Sequence, residues 1–398
     1  MIGRWRSPLR GPWLTSVLGT LLLVTMGTVA LTGFLSHAAY QPGLPGNAIV
    51  DAERDLPILF DWPASPVWLY SVTQGLHVSL GYVSIPILLA KLWSVMPRLF
   101  VWPPVTSPAM ALERLSIALF VSSAVFELAT GVANAQYWYP FRFDFVQAHY
   151  WGAVVFTGAL VLHFLVKLPV VVRAYRERGV LRPLRDDLAR TRPEPRDPDS
   201  LVAADPAPPT ISRRGLLGLT GAGAGLVLAG NAGQVLGGPL RTTAFLSPRR
   251  EEFPVNKTFS LAAIDRAAVG EGWRLQLGDR ELTRADLLAM EQRSEDLPIA
   301  CVEGWTATRT WTGVPLRDLA RLAGVPDARM VTVESLQPKG RFRRVSLGRA
   351  QVHDPRSLLA LRVEGEDLSL DHGYPARIIV PALPGVHNTK WVGRLTFA

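Results

Sequence analysis

Two kinds of side chain stand out as able to do chemistry. One is a single cysteine, Cys301, in a chain of 398 residues. With one cysteine there is no intramolecular disulfide. A zinc or iron–sulfur site of the usual four-thiolate kind is excluded as well. A lone cysteine is most often a small buried hydrophobe, so its role must be judged from its flanks. The other is histidine. Of seven, His37, His77, His149 and His163 fall in the apolar first half, and His353, His372 and His387 fall in the second.

A histidine inside a bilayer is costly and is a functional hypothesis by default. His149 and His163 are fourteen residues apart. On one helix that separation is about 21 Å of rise and close to four whole turns, so both imidazoles face the same way at two depths. Two stacked b-type haems need that arrangement, each iron taking one ligand from this helix and one from another. The partners are then His37 and His77. Depth pairs His37 with His149 and His77 with His163, with His77 and His149 open as an alternative. Neutral imidazole suits iron and brings no net charge into lipid.

The elements that must hold these groups are apolar helices. Charged residues make up 19% of the chain, below the quarter usual for soluble proteins, so part of the chain belongs in lipid. Five stretches read as transmembrane helices by length and apolarity: Pro12–His37, Pro66–Met96, Ala111–Ala135, Phe145–Val172 and Arg214–Gly237. The fifth, rich in glycine and alanine, is the weakest. Arg4, Arg6 and Arg10, then Lys91 and Arg98, then the run from Lys167 to Arg196 lie on one side, while Asp51, Glu53, Asp55 and Asp61 lie on the other. The positive-inside rule puts the N-terminus in the cytoplasm, and five crossings leave the C-terminal half outside. The net charge of +9 is thereby explained by topology, with no nucleic-acid partner implied.

Pro193–Pro209, rich in Pro, Asp and Ala, reads as a disordered cytoplasmic linker. Arg213 and Arg214 follow it and precede the fifth apolar run. A twin arginine there resembles a twin-arginine export signal, and ordinary positive-inside charge is an equal explanation. Beyond Thr242 the periodicity changes. Trp273–Leu277, Arg329–Glu334 and Ile378–Pro381 read as strands, and Arg284–Glu291 and Leu316–Ala323 as short helices. The expected domains are 1–175, four helices carrying haem; 176–211, a linker; 212–237, the fifth helix; and 242–398, an extracytoplasmic domain. The expected fold class is an all-α transmembrane four-helix haem bundle plus a fifth helix, then a mixed α+β, mostly β domain.

The flanks of the cysteine, Ile299-Ala300-Cys301-Val302-Glu303-Gly304-Trp305 with Trp311-Thr312-Gly313-Val314-Pro315, resemble the molybdenum-ligand segment of the sulfite-oxidase superfamily. They are nearest the branch with the periplasmic methionine-sulfoxide reductase catalytic subunit. The resemblance implies that the Cys301 thiolate binds molybdenum beside a pterin dithiolene, reasonable chemistry for a soft ligand on this metal. A second segment runs from His372-Gly373-Tyr374-Pro375 through Arg377 to Asn388-Thr389-Lys390-Trp391. It carries the family's spacing of pterin- and phosphate-binding residues, which implies cofactor roles for His372, Arg377, Asn388, Thr389 and Lys390. Arg and Lys suit a phosphate. Asn256, in Phe253-Pro254-Val255-Asn256-Lys257, and Gln337 are further implied pterin contacts. Residues 250–398 are covered. After its cysteine this chain lacks the arginine-rich run of true sulfite oxidases, its first downstream arginine being Arg309, which makes sulfite a doubtful substrate.

The first 175 residues resemble, in helix layout, the membrane cytochrome b subunits of formate dehydrogenases and hydrogenases and the cytochrome b561 group. Together the resemblances imply a membrane-bound, molybdenum-dependent oxidoreductase with molybdopterin and two b-type haems. Its electrons would move between an extracytoplasmic substrate and quinone, quinol or another carrier in the cytoplasmic membrane. Reduction of a small-molecule or oxidised-protein substrate such as a sulfoxide is favoured over sulfite oxidation. The competing reading is a cytochrome b electron carrier whose C-terminal domain is a degenerate partner-binding module.

Overall fold

The computed structural model describes residues 5–51, 53–58, 60–99, 105, 107–196 and 201–398. Arg4 and the centre of the expected linker lie outside them. Five long helices come first: α1 (Pro12–Ala39), α2 (Leu69–Leu99), α3 (Pro108–Ala135), α4 (Phe145–Arg178) and α5 (Arg213–Leu236). All five are long and apolar enough to cross a membrane. They start where local chemistry allows. Ser107 caps α3 by accepting the amide of Met110, with Pro108 at the first helical position. Asp144 caps α4 by accepting the amides of Val146 and Gln147. Large apolar side chains such as Leu112, Leu115, Leu162 and Leu165 point outward, the arrangement of helices whose surroundings are hydrocarbon.

The chain divides into two compact units, Met1–Ala30 with Val78–Gly230, and Leu31–His77 with Asn231–Ala398. The first is all helical. Leu9, Trp13, Leu14, Leu18 and Ile87 form a buried cluster with Leu216 and Leu217. Met26, Ala124 and Phe156 form another. Glu194, in the stretch expected to be disordered, is only 5% exposed and accepts the backbone amide of Trp13 at 3.0 Å. A helix's first amides have no partner within the helix, and a carboxylate satisfies one here. Disorder is therefore corrected at that residue: one buried contact outweighs the composition around it.

The second unit is sheet-rich. After α6 (Phe259–Ala262) come β1 (Arg274–Leu277), β2 (Arg280–Thr283), α7 (Arg284–Ala289), β3 (Arg293–Ala300), β4 (Thr306–Pro315) and α8 (Leu316–Leu322). Then follow β5 (Met330–Ser335), β6 (Arg344–Gly348), α9 (Arg349–His353), β7 (Leu358–Val363), β8 (Glu366–Asp367), β9 (Arg377–Ile379) and β10 (Val392–Phe397). One sheet has the order β2-β1-β10-β5-β6; the other is β3-β4-β7-β8, with β9 paired to β7. All pairings are antiparallel except β1 with β10.

Leu275, Leu319, Val331, Val333, Leu359, Ile378 and Leu395 fill the core between these elements, and Ala38, Ala39, Trp62 and Tyr70 join them. The α1–α2 connection is thus built into the sheet unit. Asn47 exchanges two hydrogen bonds with the backbone of Ser346, at 2.8 and 2.9 Å. The Trp62 indole donates to the Ala382 carbonyl at 2.6 Å. These bonds satisfy the Ser346 amide and carbonyl and the Ala382 carbonyl.

Candidate active site

Strands β3 and β4 pair in register from Arg293↔Gly313 to Ala300↔Thr306, so Cys301–Trp305 is a hairpin tip. The Cys301 amide donates to the Trp305 carbonyl at 2.9 Å, and the Gly304 amide to the Cys301 carbonyl at 3.0 Å. Gly304 has φ +95°, a conformation only glycine adopts readily. The tip holds the thiol 2% exposed. Burial pushes the Cys301 pKa well up, and hydrogen-bonded Glu303 adds to the effect. A metal binding there must displace a proton.

Cys301 lines a small pocket, about 250 Å³ of unfilled space including its mouth, with Phe253, Pro254, Asn256, Ile299, Trp305, Arg377, Gly385 and Lys390. The two cations are buried, Arg377 at 3% and Lys390 at 7% exposure. Their hydrogen bonds run to neutral carbonyls. Arg377 donates to Asn388 and His372, at 3.2 and 3.1 Å. Lys390 Nζ donates to Lys257 and Asp371, at 2.8 and 2.7 Å. Neither forms an ion pair among the described residues. Burial lowers Arg377 to about 9. Burial, with Arg377 beside it, lowers Lys390 to about 6. Buried charge without a counter-ion is costly, and an anionic ligand would remove the cost.

Sequence-implied residues divide into two groups. Asn256, Cys301, Arg377 and Lys390 meet at the pocket. His372, Asn388, Thr389 and Gln337 are not among its lining. His372 stands behind the wall: its ring stacks on Phe253 with centroids 3.8 Å apart and its Nδ1 lies 2.9 Å from the Ser369 hydroxyl. Burial lowers it to about 4, so it is neutral. Asn388 Oδ1 accepts the Val380 amide at 2.8 Å. Asn388 Nδ2 and Thr389 Oγ1 are buried with no hydrogen-bond partner among the described residues. Such orphans are rare in folded proteins. Their clustering in the segment around Arg377 and Lys390 fits a polar ligand. Gln337 instead accepts from Lys257 Nζ at 2.5 Å.

Phe253 and Trp305 line the pocket and Glu303 bonds to the thiol, three roles that the sequence does not assign. Proximity to Cys301 along the hairpin is the signal that identifies Glu303. Arg309 lies 5.1 Å over the Phe253 ring and donates to the Glu252 carbonyl at 2.7 Å. It packs the wall and does not line the pocket.

The four apolar-half histidines each have a defined setting. His37 Nε2 lies 2.9 and 3.0 Å from the two Asp55 oxygens, so a metal at His37 must bind Nδ1 or displace Asp55. His77 Cε1 would lie 2.9 Å from a Cβ on Gly33. On α4, His149 Nδ1 lies 2.8 Å from the Thr130 hydroxyl and 3.3 Å from Glu127. A Cβ on Gly131 would sit 3.6 Å from its Cε1. His163 stacks on Phe120 at 4.7 Å. At Gly33 a side chain would crowd the His77 imidazole, while at Gly131 it would make ordinary contact with His149.

A buried thiol, a buried arginine and a buried lysine line one pocket of the sheet-rich unit. Residues 263–398 match the family model described as the oxidoreductase molybdopterin binding domain. Mitochondrial sulfite oxidase of Drosophila melanogaster is 35% identical over 134 residues, 31% of this chain and 23% of that protein. NADH nitrate reductase of Volvox carteri is 37% identical over 102 residues, 23% of this chain and 12% of that protein. The putative protein-methionine-sulfoxide reductase subunit YedZ1 of Azospira oryzae is 30% identical over 114 residues, 28% of this chain and 42% of that protein. The chain spans less than half the length of each of these relatives. Its residues 263–398 are thus similar to a molybdopterin-binding oxidoreductase domain.

Proposed function

We propose that the protein is a membrane-bound, molybdenum-dependent oxidoreductase. It moves electrons between an extracytoplasmic substrate at the Cys301 pocket and b-type haems and quinone in the cytoplasmic membrane. The observation that carries this is the convergence of buried Cys301 with Asn256 and two buried cations, Arg377 and Lys390, in one pocket. The pterin cofactor, when bound, supplies a metal that cycles between oxidation states. The chain's residues hold it: Cys301 as thiolate ligand, Asn256, Arg377 and Lys390 as pterin and phosphate contacts, with His372, Asn388, Thr389 and Gln337 as further supports. His37, His77, His149 and His163 are the candidate haem ligands, in neutral form.

Reduction of a neutral oxidised substrate such as a sulfoxide, fed by quinol, is the leading direction. After Cys301 the chain has no arginine-rich run, its first downstream arginine being Arg309, which disfavours an anion such as sulfite as substrate. Export of the folded C-terminal domain by a twin-arginine route, and topology with the N-terminus in the cytoplasm, belong to the same reading. Purified full-length protein tests it by molybdenum and haem quantification followed by a panel of sulfoxides and sulfite. Both cofactors with sulfoxide turnover support the reading. Haem alone supports a carrier whose C-terminal domain binds a partner.

A further inference from the structure

One chain of buried hydrogen bonds links the tip that holds Cys301 to helix α2, all within the second compact unit. Gln74 is 5% exposed, and its Nε2 donates to the Val302 carbonyl at 2.6 Å. The Ser36 hydroxyl donates to Gln74 Oε1 at 2.8 Å and lies 3.2 Å from the Tyr70 hydroxyl. The Val302 carbonyl can only accept, so the amide nitrogen must face it and the amide oxygen faces Ser36. Tyr70 is 1% exposed and Ser36 9%, so the set is closed to water. His77 follows Gln74 by three residues on α2, the spacing that puts two side chains on one helix face.

Gln74 is buried on α2, where its amide is not needed for packing. A leucine would fill the same space without requiring hydrogen-bond partners. Its two partners here are the neighbour of the thiol and the residue beside His37. We infer that Gln74 is the coupling residue that carries electrons between the metal bound at Cys301 and haem iron bound at His77. The inference rests on the functional reading above.

The route runs from Sγ along the Cys301 main chain and one peptide unit to the Val302 carbonyl, across one hydrogen bond to Gln74, and along α2 to His77. Electrons pass singly, and the transfer makes or breaks no bond. A haem held by His77 would give up one electron per transfer, and a metal held by Cys301 would take it up. A membrane quinol is the source, giving two electrons and two protons as it becomes quinone. A sulfoxide is the sink, taking two electrons and two protons to give the sulfide and water.

The test uses the full chain in detergent, loaded with both cofactors, and the variant Gln74→Leu. Haem is reduced with a short-chain quinol and its single-turnover reoxidation by a soluble sulfoxide is timed. The expected result is severalfold slower reoxidation in the variant, with haem reduction by quinol, haem potentials and molybdenum content unchanged. Thr73→Ala removes a hydroxyl bonded to the Leu69 carbonyl and is expected to keep the wild-type rate. In cofactor-free protein, Gln74→Leu should speed amide hydrogen exchange across residues 301–305. Equal reoxidation rates in wild type and Gln74→Leu overturn the coupling role. Unchanged exchange overturns the hydrogen bond itself. Absence of molybdenum or haem from the wild type overturns the functional reading, and the coupling role with it.

Discussion

Arg213 and Glu194 lie 3.8 Å apart, both almost fully enclosed. The Arg213 guanidinium also donates to the carbonyls of Arg192 and Pro8, at 2.9 and 3.2 Å. Arg214, its neighbour, is exposed. The two arginines of the export-like motif therefore carry different loads in the folded protein. Arg213→Lys should destabilise the helical unit, because a single ammonium cannot replace a forked guanidinium serving several acceptors. Arg214→Lys should leave stability unchanged. If the pair also directs export, Arg214→Lys should retain a C-terminal reporter in the cytoplasm at wild-type thermal stability. Normal export in that single variant argues for a topological role only.

Lys390 gives a pH dependence with a definite sign. Its folded pKa, near 6, lies below its unfolded value, so the unfolded chain holds the proton more tightly. The cost of burial is complete below pH 6 and is relieved as pH rises toward the unfolded value. Arg377, lowered to about 9, acts in the same direction at higher pH. Cys301 opposes both above about pH 8.5, where an unfolded thiol ionises. Cofactor-free protein should therefore gain thermal stability from pH 6 to about pH 8.5. The cofactor's anionic group should keep Lys390 charged and flatten that slope. Lys390→Met should flatten it without cofactor. A melting temperature independent of pH in cofactor-free wild type would contradict the argument.

Gly33 and His77 test the helical histidines without touching a ligand atom. A Cβ on Gly33 would approach His77 Cε1 to 2.9 Å, so Gly33→Ala must push the imidazole aside. Overpacking of this kind costs roughly 1–3 kcal/mol. If His77 holds haem, haem per chain should fall in Gly33→Ala. Gly27→Ala, where nothing lies within 4 Å, should bind haem normally. His149→Ala and His163→Ala should each lose about half of the haem absorbance, each removing one axial ligand. Unchanged haem in all of these variants would sink the diheme arrangement.

Hydrophobic runs located the helices because length and apolarity alone decide such elements. The fourth was placed from Phe145, the residue where Asp144 caps α4. The weak fifth stretch forms α5 despite its glycines. The strand at Arg329–Glu334 is β5 shifted by one residue. Long-range partnerships were not legible. Asn47 with Ser346 and Gln74 with Val302 join residues more than 200 positions apart, and no periodicity marks them. The site was legible as segments but not as directions. The family resemblance marks the stretch from His372 to Lys390, but it does not say which side chains turn into the pocket. Arg377 and Lys390 line it, while Asn388 Oδ1 turns to the Val380 amide.

The central claim is that molybdenum is bound by the Cys301 sulfur. X-ray absorption at the molybdenum edge, on full-length wild type and Cys301→Ser, measures it directly. The fold should tolerate the change, since the hairpin tip is held by the backbone bonds of Cys301 with Trp305 and Gly304. The variant is expected to keep its haem, lose one sulfur from the molybdenum shell and lose sulfoxide turnover. A wild-type sulfur count and wild-type turnover in Cys301→Ser would contradict it.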